Sequence, residues 1–222
     1  MSVAMIWGSP GSGKTVAATA PKTEKILLLC SDNSAVVLNM FERKNVTVER
    51  VEHWIDPGDG ENYFTKQFEK ALSSGKYTLI VVDNLTDIKE LALQEIEEQG
   101  KIKDIRQIYQ AVYMALKRLT RNAANAKCHV TFTAWDDCEE ITKADGSLAL
   151  RQFPNLPKKI LPQVLGLCNI VGQMAKAKDK NGDMRWFLIT EDAETRYGCK
   201  DQLYGRKSVL PENLYKAPEV KK

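Results

Sequence analysis

Near its amino terminus the chain reads Gly8-Ser9-Pro10-Gly11-Ser12-Gly13-Lys14-Thr15, which fits the pattern G-x-x-x-x-G-K-[ST] at every position. The pattern follows the apolar run Val3–Trp7 and leads into residues 16–20, whose composition is compatible with a helix. A strand, a glycine-rich turn and a helix in this order form a loop that binds polyphosphates. The sequence therefore predicts a strand at residues 3–7 and a phosphate-binding loop at residues 8–15.

Each residue type in this loop has a chemical reason to be there. The glycines let backbone N–H groups turn inward around the phosphates, and the start of the helix adds a favourable dipole. Lys14 can reach the β- and γ-phosphates as a flexible cation, and the Thr15 hydroxyl can bind Mg²⁺. We therefore expect residues 8–15 to bind ATP, with Lys14 as a catalytic residue and Thr15 as a metal ligand.

A second apolar run, residues 79–82, ends at Asp83. Four consecutive branched apolar residues predict a strand that is buried on both faces of a parallel sheet. Ligands of such sheets bind at the carboxyl ends of the strands, so we expect Asp83 to meet the Mg²⁺ near Thr15. The alternative is that Asp83 only ends a core strand and caps the helix that begins near Asn84.

The rest of the sequence alternates apolar strands with amphipathic helices and then changes character. Beyond Trp135, two hairpins are predicted, one turning at Asp145-Gly146 and one at residues 180–183. We expect one α/β domain over residues 1–210 and a loosely held tail over residues 211–222. Strands are predicted at 25–30, 46–51, 127–134 and 167–174, and helices at 64–72, 87–98 and 105–124.

Composition indicates a soluble globular protein, with 43% hydrophobic and 27% charged residues among 222. No apolar run approaches the ~18–20 residues that cross a bilayer, and no secretory signal precedes Gly8. Five cysteines without a C-x-x-C pair favour a reducing cytoplasm and no structural metal. Residues 151–222 carry 14 Lys and Arg against 8 Asp and Glu. This basic third suits nucleic acid or nucleotide phosphates, and it equally suits a solvated surface.

The order of the motifs resembles the RecA-like ATPase core, and nearly the whole chain is similar to small phage-borne P-loop ATPases of that group. Some of those ATPases are proposed recombination or single-strand annealing proteins. The resemblance implies a largely parallel central sheet with helices on both faces and C-terminal antiparallel hairpins. It rests on residues 8–15, Asp83-Asn84, and residues 133–135, 153–160, 165–172 and 197–207.

The resemblance also implies roles for particular residues. RecA-like ATPases usually place a water-orienting glutamate where this chain has Asp32, which is one methylene shorter and is alternatively a strand-end cap. Trp135 stands at the usual position of a polar phosphate sensor, which leaves Asp136 or Asp137 as substitutes. Such ATPases often bind nucleotide between subunits, so cations from a neighbour are expected at the phosphates. The candidates are Lys200 and Arg206, which are alternatively ordinary surface cations.

The function implied is a cytoplasmic, ATP-dependent DNA recombination or annealing factor, in the host cytoplasm if it is phage-encoded. It would bind MgATP, hydrolyse it slowly, and act as a homo-oligomer on single-stranded DNA. Hairpin aromatic residues would stack on bases or, alternatively, pack in the core: Trp186, Phe187, Tyr197 and Tyr204. Two other functions stay open, namely a nucleotide-dependent assembly switch and a small-molecule kinase, although no Arg-x-x-x-Arg lid follows Asp83.

Overall fold

The computed structural model describes residues 1–41, 43–102, 104–178 and 182–218, and a nine-stranded sheet runs through them. Two further strands form a separate hairpin. The strands are β1 (Val3–Trp7), β2 (Ile26–Cys30), β3 (Val46–Arg50), β4 (Leu79–Asp83), β5 (His129–Ala134), β6 (Asp136–Thr142), β7 (Leu148–Pro154), β8 (Ile170–Lys178), β9 (Met184–Ile189), β10 (Lys200–Asp201) and β11 (Ser208–Val209). The helices are α1 (Lys14–Ala18), α2 (Phe64–Ser74), α3 (Leu85–Glu98), α4 (Ile105–Ala124) and α5 (Leu161–Leu167), with 3₁₀ turns at Asn33–Phe41 and Pro211–Asn213.

The large sheet has the order β11-β9-β8-β1-β5-β4-β2-β3, and β10 also pairs with β8. Every neighbouring pair from β8 to β3 is parallel, whereas β9, β10 and β11 are antiparallel to their partners. The register places Trp7 beside Ala134 and Cys30 beside Asp83. The carboxyl ends of β1, β2, β4 and β5 therefore meet at one edge of the sheet.

Two hydrophobic cores cover the faces of this sheet, and alternate residues of β1 enter each of them. Met5 and Trp7 belong to the larger core, which α2, α3, α4 and α5 cover. Ala4 and Ile6 belong to the smaller core, which includes α1 and the first 3₁₀ turn. Burial on both faces explains why these strands are continuously apolar. The predicted architecture is confirmed: an α/β domain with a largely parallel central sheet, helices on both faces and antiparallel C-terminal strands.

Several local predictions differ from the structure. The phosphate-loop helix α1 has only five residues, and the Thr19 hydroxyl at its end bonds back to the Thr15 carbonyl at 2.8 Å. The 3₁₀ turn after β2 was not predicted. The first hairpin is longer than the strands expected at 139–142 and 147–150: β6 begins at Asp136, and β7 extends through Pro154. Part of the second predicted turn, residues 180–181, lies outside the described residues.

The segment after residue 210 packs against the domain, which corrects the expectation of a loose tail for residues 211–216. Leu214 is fully buried, and the Tyr215 ring stacks on His129 with centroids 4.0 Å apart. The Arg206 guanidinium donates to the carbonyls of Asn213, Leu214 and Lys216. Residues 219–222 lie outside the described residues. Among the helices described, none has the length and apolarity that a bilayer crossing requires.

Candidate nucleotide-binding site

The predicted phosphate loop connects the carboxyl end of β1 to α1. The Gly8 N–H donates to the Ala134 carbonyl at 3.3 Å, which fixes the start of the loop against β5. Gly13 precedes α1 with a φ of 85°, a left-handed conformation in which a side chain would be strained. The loop therefore needs glycine at this position for a local backbone reason as well as for access to phosphates.

Lys14 lies across the loop and is only 7% exposed. Its Nζ donates to the Gly8 carbonyl at 2.8 Å and to the Ser9 carbonyl at 2.9 Å. Burial lowers the pKa of Lys14, and the nearby carboxylates of Asp83, Asp136 and Asp32 oppose this by raising it. The Lys14 ammonium is therefore hydrogen-bonded to neutral carbonyl groups of the loop. An anionic ligand would be a stronger acceptor than these carbonyls.

Asp83 is the centre of the polar cluster at this edge, and it is 2% exposed. Its Oδ2 accepts from the Thr15 hydroxyl at 2.6 Å and from the Ser34 hydroxyl at 2.7 Å. The Thr133 hydroxyl donates to Oδ1. Three hydroxyls from three elements therefore orient this carboxylate toward the start of α1.

The donor set around Asp83 fits a magnesium ion. A carboxylate and a threonine hydroxyl are the hard oxygen ligands that Mg²⁺ accepts, and Thr15 and Asp83 are already in contact. Inside the loop, the Ser12 hydroxyl is buried without a hydrogen-bond partner among the described residues. A buried hydroxyl without a partner costs free energy, so a phosphate oxygen at this place would satisfy it.

Asp32 belongs to the same cluster. Its Oδ1 accepts from the Ser34 N–H at 2.7 Å, and its Oδ2 lies 3.3 Å from the Asn84 amide nitrogen. The Cys30 sulfur and the carboxylates of Asp32 and Asp83 lie within 4.8 Å of one another. The geometry agrees with a water-orienting acid and also with a turn cap, so the catalytic role stays a prediction.

Asp136, just beyond the end of β5, also contacts the loop. Its Oδ2 accepts from the Ser9 hydroxyl at 2.8 Å, whereas the Asp137 carboxylate accepts from the adjacent Cys138 N–H. The Trp135 N–H donates to the Thr86 hydroxyl at 3.1 Å. Of the two candidates for the sensor position, Asp136 is therefore the one that the structure brings to the phosphate loop.

The structure does not bring Lys200 or Arg206 to the loop of their own chain. In β10, Lys200 pairs with Val171, and burial lowers its pKa while the neighbouring Cys168 raises it. Arg206 forms an ion pair with the buried Asp201. Their expected contribution to a neighbouring subunit's site stays a prediction.

A cavity of about 430 Å³ continues from the loop along α1. Val16 and Ala17 form part of one wall, and Trp186 and Pro211 belong to the lining. A Cβ built at Gly13 would lie 3.7 Å from the Trp186 ring, so the indole covers the loop directly. The sequence contained no signal for this placement, because it depends on the parallel pairing of β8 with the distant strand β1.

Sequence reasoning also missed two partners of Asp83. Ser34 follows β2 and Thr133 lies in β5, 49 and 50 residues away from Asp83 along the chain. Strand order could have suggested Thr133, because β4 and β5 are neighbours whose carboxyl ends coincide. The contact of Ser34 with Asp83 depends on the 3₁₀ turn, which was not predicted.

A phosphate loop after β1 and a buried acid at the end of β4, two strands away in the same parallel sheet, together define an ATP-binding P-loop ATPase. The chain belongs to the AAA domain family, whose model matches residues 2–203. No curated protein matches the chain.

Three of the solved structures that this chain resembles belong to flagellar and secretion systems. FlaH, a flagellar accessory protein from Methanocaldococcus jannaschii, is 10% identical over 93% of this chain and 83% of its own, with a TM-score of 0.45. A type III secretion ATPase of pathogenic bacteria is 14% identical over 78% of this chain, with a TM-score of 0.49. EscN from enteropathogenic E. coli is also 14% identical over 78%, with a TM-score of 0.47. This chain spans 51% and 43% of those two ATPases.

Proposed function

We propose that this protein binds MgATP, hydrolyses it slowly on its own, and acts as a homo-oligomeric DNA recombination or single-strand annealing factor on single-stranded DNA. The observation that carries the nucleotide part is the contact between Thr15 and Asp83 at the start of α1. Membership of the AAA domain family supports the same part. The DNA part is supported by the excess of basic residues over 151–222.

In this proposal, the backbone N–H groups of Ser9 to Thr15 surround the phosphates. Lys14 exchanges its two carbonyl partners for phosphate oxygens, which are better acceptors because they are charged. Ser12 gains the partner that its hydroxyl lacks. Each of these changes favours the bound state, so the loop is arranged to hold a triphosphate.

Thr15 and Asp83 would hold Mg²⁺, directly or through water. The ion, when bound, neutralises negative charge on the phosphates. The hydroxyls of Ser34 and Thr133 keep the Asp83 carboxylate in one orientation, so little reorganisation is needed when the ligand arrives.

Hydrolysis in this proposal depends on positioning. Asp32, held by the Ser34 N–H and Asn84, would orient the attacking water, and Asp136 would sense the phosphates through Ser9. In related phosphoryl-transfer reactions, a cation supplied by a neighbouring subunit raises the rate by several orders of magnitude. Lys200 is half-buried, whereas Arg206 would first have to leave Asp201.

The cavity beside α1 would hold the base of ATP. Most of its lining residues are apolar or glycine, and the Trp186 indole offers a flat ring for contact with a purine. The Lys176 ammonium lies 5.1 Å from the centroid of the same ring. This contact keeps the indole against the loop and leaves the apolar wall of α1 for the base.

The test compares phosphate release and oligomeric state in the wild type and in Lys14→Ala. We expect slow release of phosphate from ATP, faster release with oligo-dT, and assembly that depends on ATP, because DNA organises subunits around the shared site. Lys14→Ala should lose both ATP binding and release. Light scattering with ATP, ADP and no nucleotide measures the assembly.

Two outcomes would contradict the proposal. Assembly that follows ATP while hydrolysis stays negligible with oligo-dT would indicate an assembly switch. Phosphate transfer that requires a small-molecule acceptor would indicate a kinase.

A further inference from the structure

Helix α4 has a basic face without acidic residues. The sequence contains no Asp or Glu between Ile105 and Trp135. The opposite face of α4 is buried in the larger core, with Val112 and Leu116 fully covered. The helix is therefore anchored by its apolar side and presents cations to its surroundings: Arg106, Lys117, Arg118 and Arg121.

A groove of about 480 Å³ lies between this helix and the start of α5, and we name it the α4–α5 groove. From α4 it is lined by Arg106, Tyr109, Tyr113 and Lys117, and from the α5 side by Lys159. The α4 residues recur every three or four positions, so they share one stripe of the helix. Arg106 and Lys117 are about 16 Å apart along the axis, which is long enough to meet more than one phosphate.

The cations of the groove are available to a ligand. Arg106 has only a distant partner in Asp104, at 3.9 Å, and its side chain is 92% exposed. Within the described part of the chain, no carboxylate forms an ion pair with Lys117 or Lys159. A concave surface with three cations and no lining acid attracts a polyanion.

Two aromatic rings open onto the same groove. Tyr109 is 41% exposed, and its ring centroid lies 6.0 Å from that of Tyr113 at an angle of 59°. Aromatic rings beside cations bind single-stranded nucleic acids, since unpaired bases stack on the rings while the backbone meets the charges. In a duplex the faces of the bases are covered by stacking, and an acidic peptide has no bases. The rings and cations of the groove therefore favour single-stranded nucleic acid over both.

Three of the four aromatic residues that the sequence suggested for stacking have contacts elsewhere. Trp186 covers the phosphate loop. Tyr204 lies under the Arg206 guanidinium at 4.6 Å, and Tyr197 under that of Arg151 at 5.4 Å. These contacts make the α4–α5 groove a better candidate than the hairpins.

Building on the proposed function, we propose that the α4–α5 groove binds single-stranded DNA. Arg106, Lys117 and Lys159 contact backbone phosphates, and Tyr109 and Tyr113 stack on bases. This assignment moves the nucleic-acid surface from the C-terminal hairpins to the helical side of the sheet.

The groove also lies toward the edge of the sheet where the carboxyl ends of β1, β2, β4 and β5 meet, which we name the nucleotide edge. The Asn155 N–H donates to the Trp135 carbonyl beyond the end of β5, and the Asn169 N–H donates to the Val3 carbonyl at the start of β1. The chain between them, which includes Lys159 and α5, therefore runs from the nucleotide edge to the opposite edge. The Thr86 hydroxyl donates to the Asn155 carbonyl and accepts from the Trp135 N–H, which ties this segment to α3 beside Asp83.

The test measures fluorescence anisotropy of labelled oligo-dT at two salt concentrations, with ATP affinity measured in parallel. We expect the double variant Lys117→Gln/Lys159→Gln to bind oligo-dT about tenfold more weakly. Its plot of log affinity against log salt concentration should be less steep by about 1.4, because each lost phosphate contact removes about 0.7 from the slope. Tyr109→Ala should weaken binding by about tenfold and Tyr109→Phe should restore it, because the ring does the stacking. ATP affinity should not change in any of these variants.

The matched control is Lys22→Gln/Lys25→Gln, two exposed lysines at the amino end of β2, which should leave oligo-dT binding unchanged. If the wild type binds ATP but no oligo-dT even at low salt, the DNA part of the proposed function fails together with the groove. If the groove variants bind oligo-dT as tightly as the wild type, the groove proposal alone is overturned. If an abasic strand binds as tightly as oligo-dT, base stacking is overturned. If polyglutamate binds as tightly as oligo-dT, a nucleic-acid ligand is overturned.

Discussion

At the level of single residues, Asp83 shows how a buried carboxylate is kept in place before any ligand arrives. It receives hydrogen bonds from Thr15, Ser34 and Thr133, which belong to three different elements. A buried charged group without such partners would be very unfavourable. The same contacts connect the phosphate loop, the turn after β2 and the end of β5, so the geometry of the site and the stability of this edge depend on the same atoms.

We expect Thr133→Val to weaken MgATP binding by about tenfold and to lower the free energy of unfolding by about 1–3 kcal/mol. The substitution keeps the shape of the side chain and removes one hydrogen bond to a buried carboxylate. Isothermal titration with MgATP and urea unfolding measure the two effects. Thr120→Val is the matched control, because Thr120 is equally buried and its hydroxyl donates to the Leu116 carbonyl within α4. Equal losses of affinity in both variants would argue against a specific role for Thr133.

At the level of elements, the C-terminal segment is held by one side chain. The Arg206 guanidinium contacts Asp201, whose side chain is fully buried, and donates to three carbonyls beyond residue 212. These bonds explain why residues 211–216 follow the surface of β5 and β9 although their sequence has no strand or helix pattern.

We expect Arg206→Gln to release this segment and to destabilise the protein by about 3–5 kcal/mol, because it leaves the Asp201 charge buried without its partner. Limited proteolysis and hydrogen exchange at residues 211–216 report the release, and urea unfolding reports the stability. Lys207→Gln provides the comparison, since Lys207 forms only an exposed pair with Glu191. Unchanged protection of the segment in Arg206→Gln would show that Leu214 and Tyr215 hold it without the arginine.

Elements defined by continuous local patterns could be predicted from the sequence. The amphipathic pattern gave α4 its observed bounds of 105–124, and the apolar run ending at Asp83 became β4. The 3₁₀ turn over Asn33–Phe41 could not be predicted, since it begins in a polar cluster that is typical of loops. The placement of Trp186 over Gly13 and of Tyr215 beside Thr131 depends on pairings between distant strands, which local patterns do not contain.

At the level of the whole molecule, two buried thiols couple folding to alkaline pH. Cys168 and Cys199 are almost inaccessible, and burial raises the pKa of each to about 12 from the ordinary value of 9.0. The folded protein therefore keeps both thiols neutral in a pH range where the unfolded chain ionises them. Because the unfolded state then binds fewer protons, stability is lost as the pH rises above about 9.

We expect the free energy of unfolding to fall between pH 9 and pH 11 by about 1.4 kcal/mol per pH unit for each of these two thiols. Urea midpoints at pH 8, 9, 10 and 11 measure the slope. Cys168→Ala/Cys199→Ala should flatten it, whatever the double substitution does to stability at pH 8. Cys138→Ser should leave the slope unchanged, because Cys138 is exposed. A double variant with the wild-type slope would contradict this explanation.

The hairpin of β6 and β7 has a mechanical consequence. It starts at Asp136, the residue that holds Ser9 of the phosphate loop, and its seven-residue strands extend roughly 23 Å at 3.3 Å per residue. Leu148 and Leu150, toward the far end, are 64% and 60% exposed. The hairpin therefore joins the phosphate loop to an exposed apolar tip. Beyond the backbone bonds of Gln152 to Thr195 and Tyr197, about four residues of each strand extend roughly 13 Å at 3.3 Å per residue. At this length, a rotation of about five degrees at the attachment would displace the tip by roughly 1 Å, so a small change beside the phosphate loop would be felt by whatever touches the end of the hairpin.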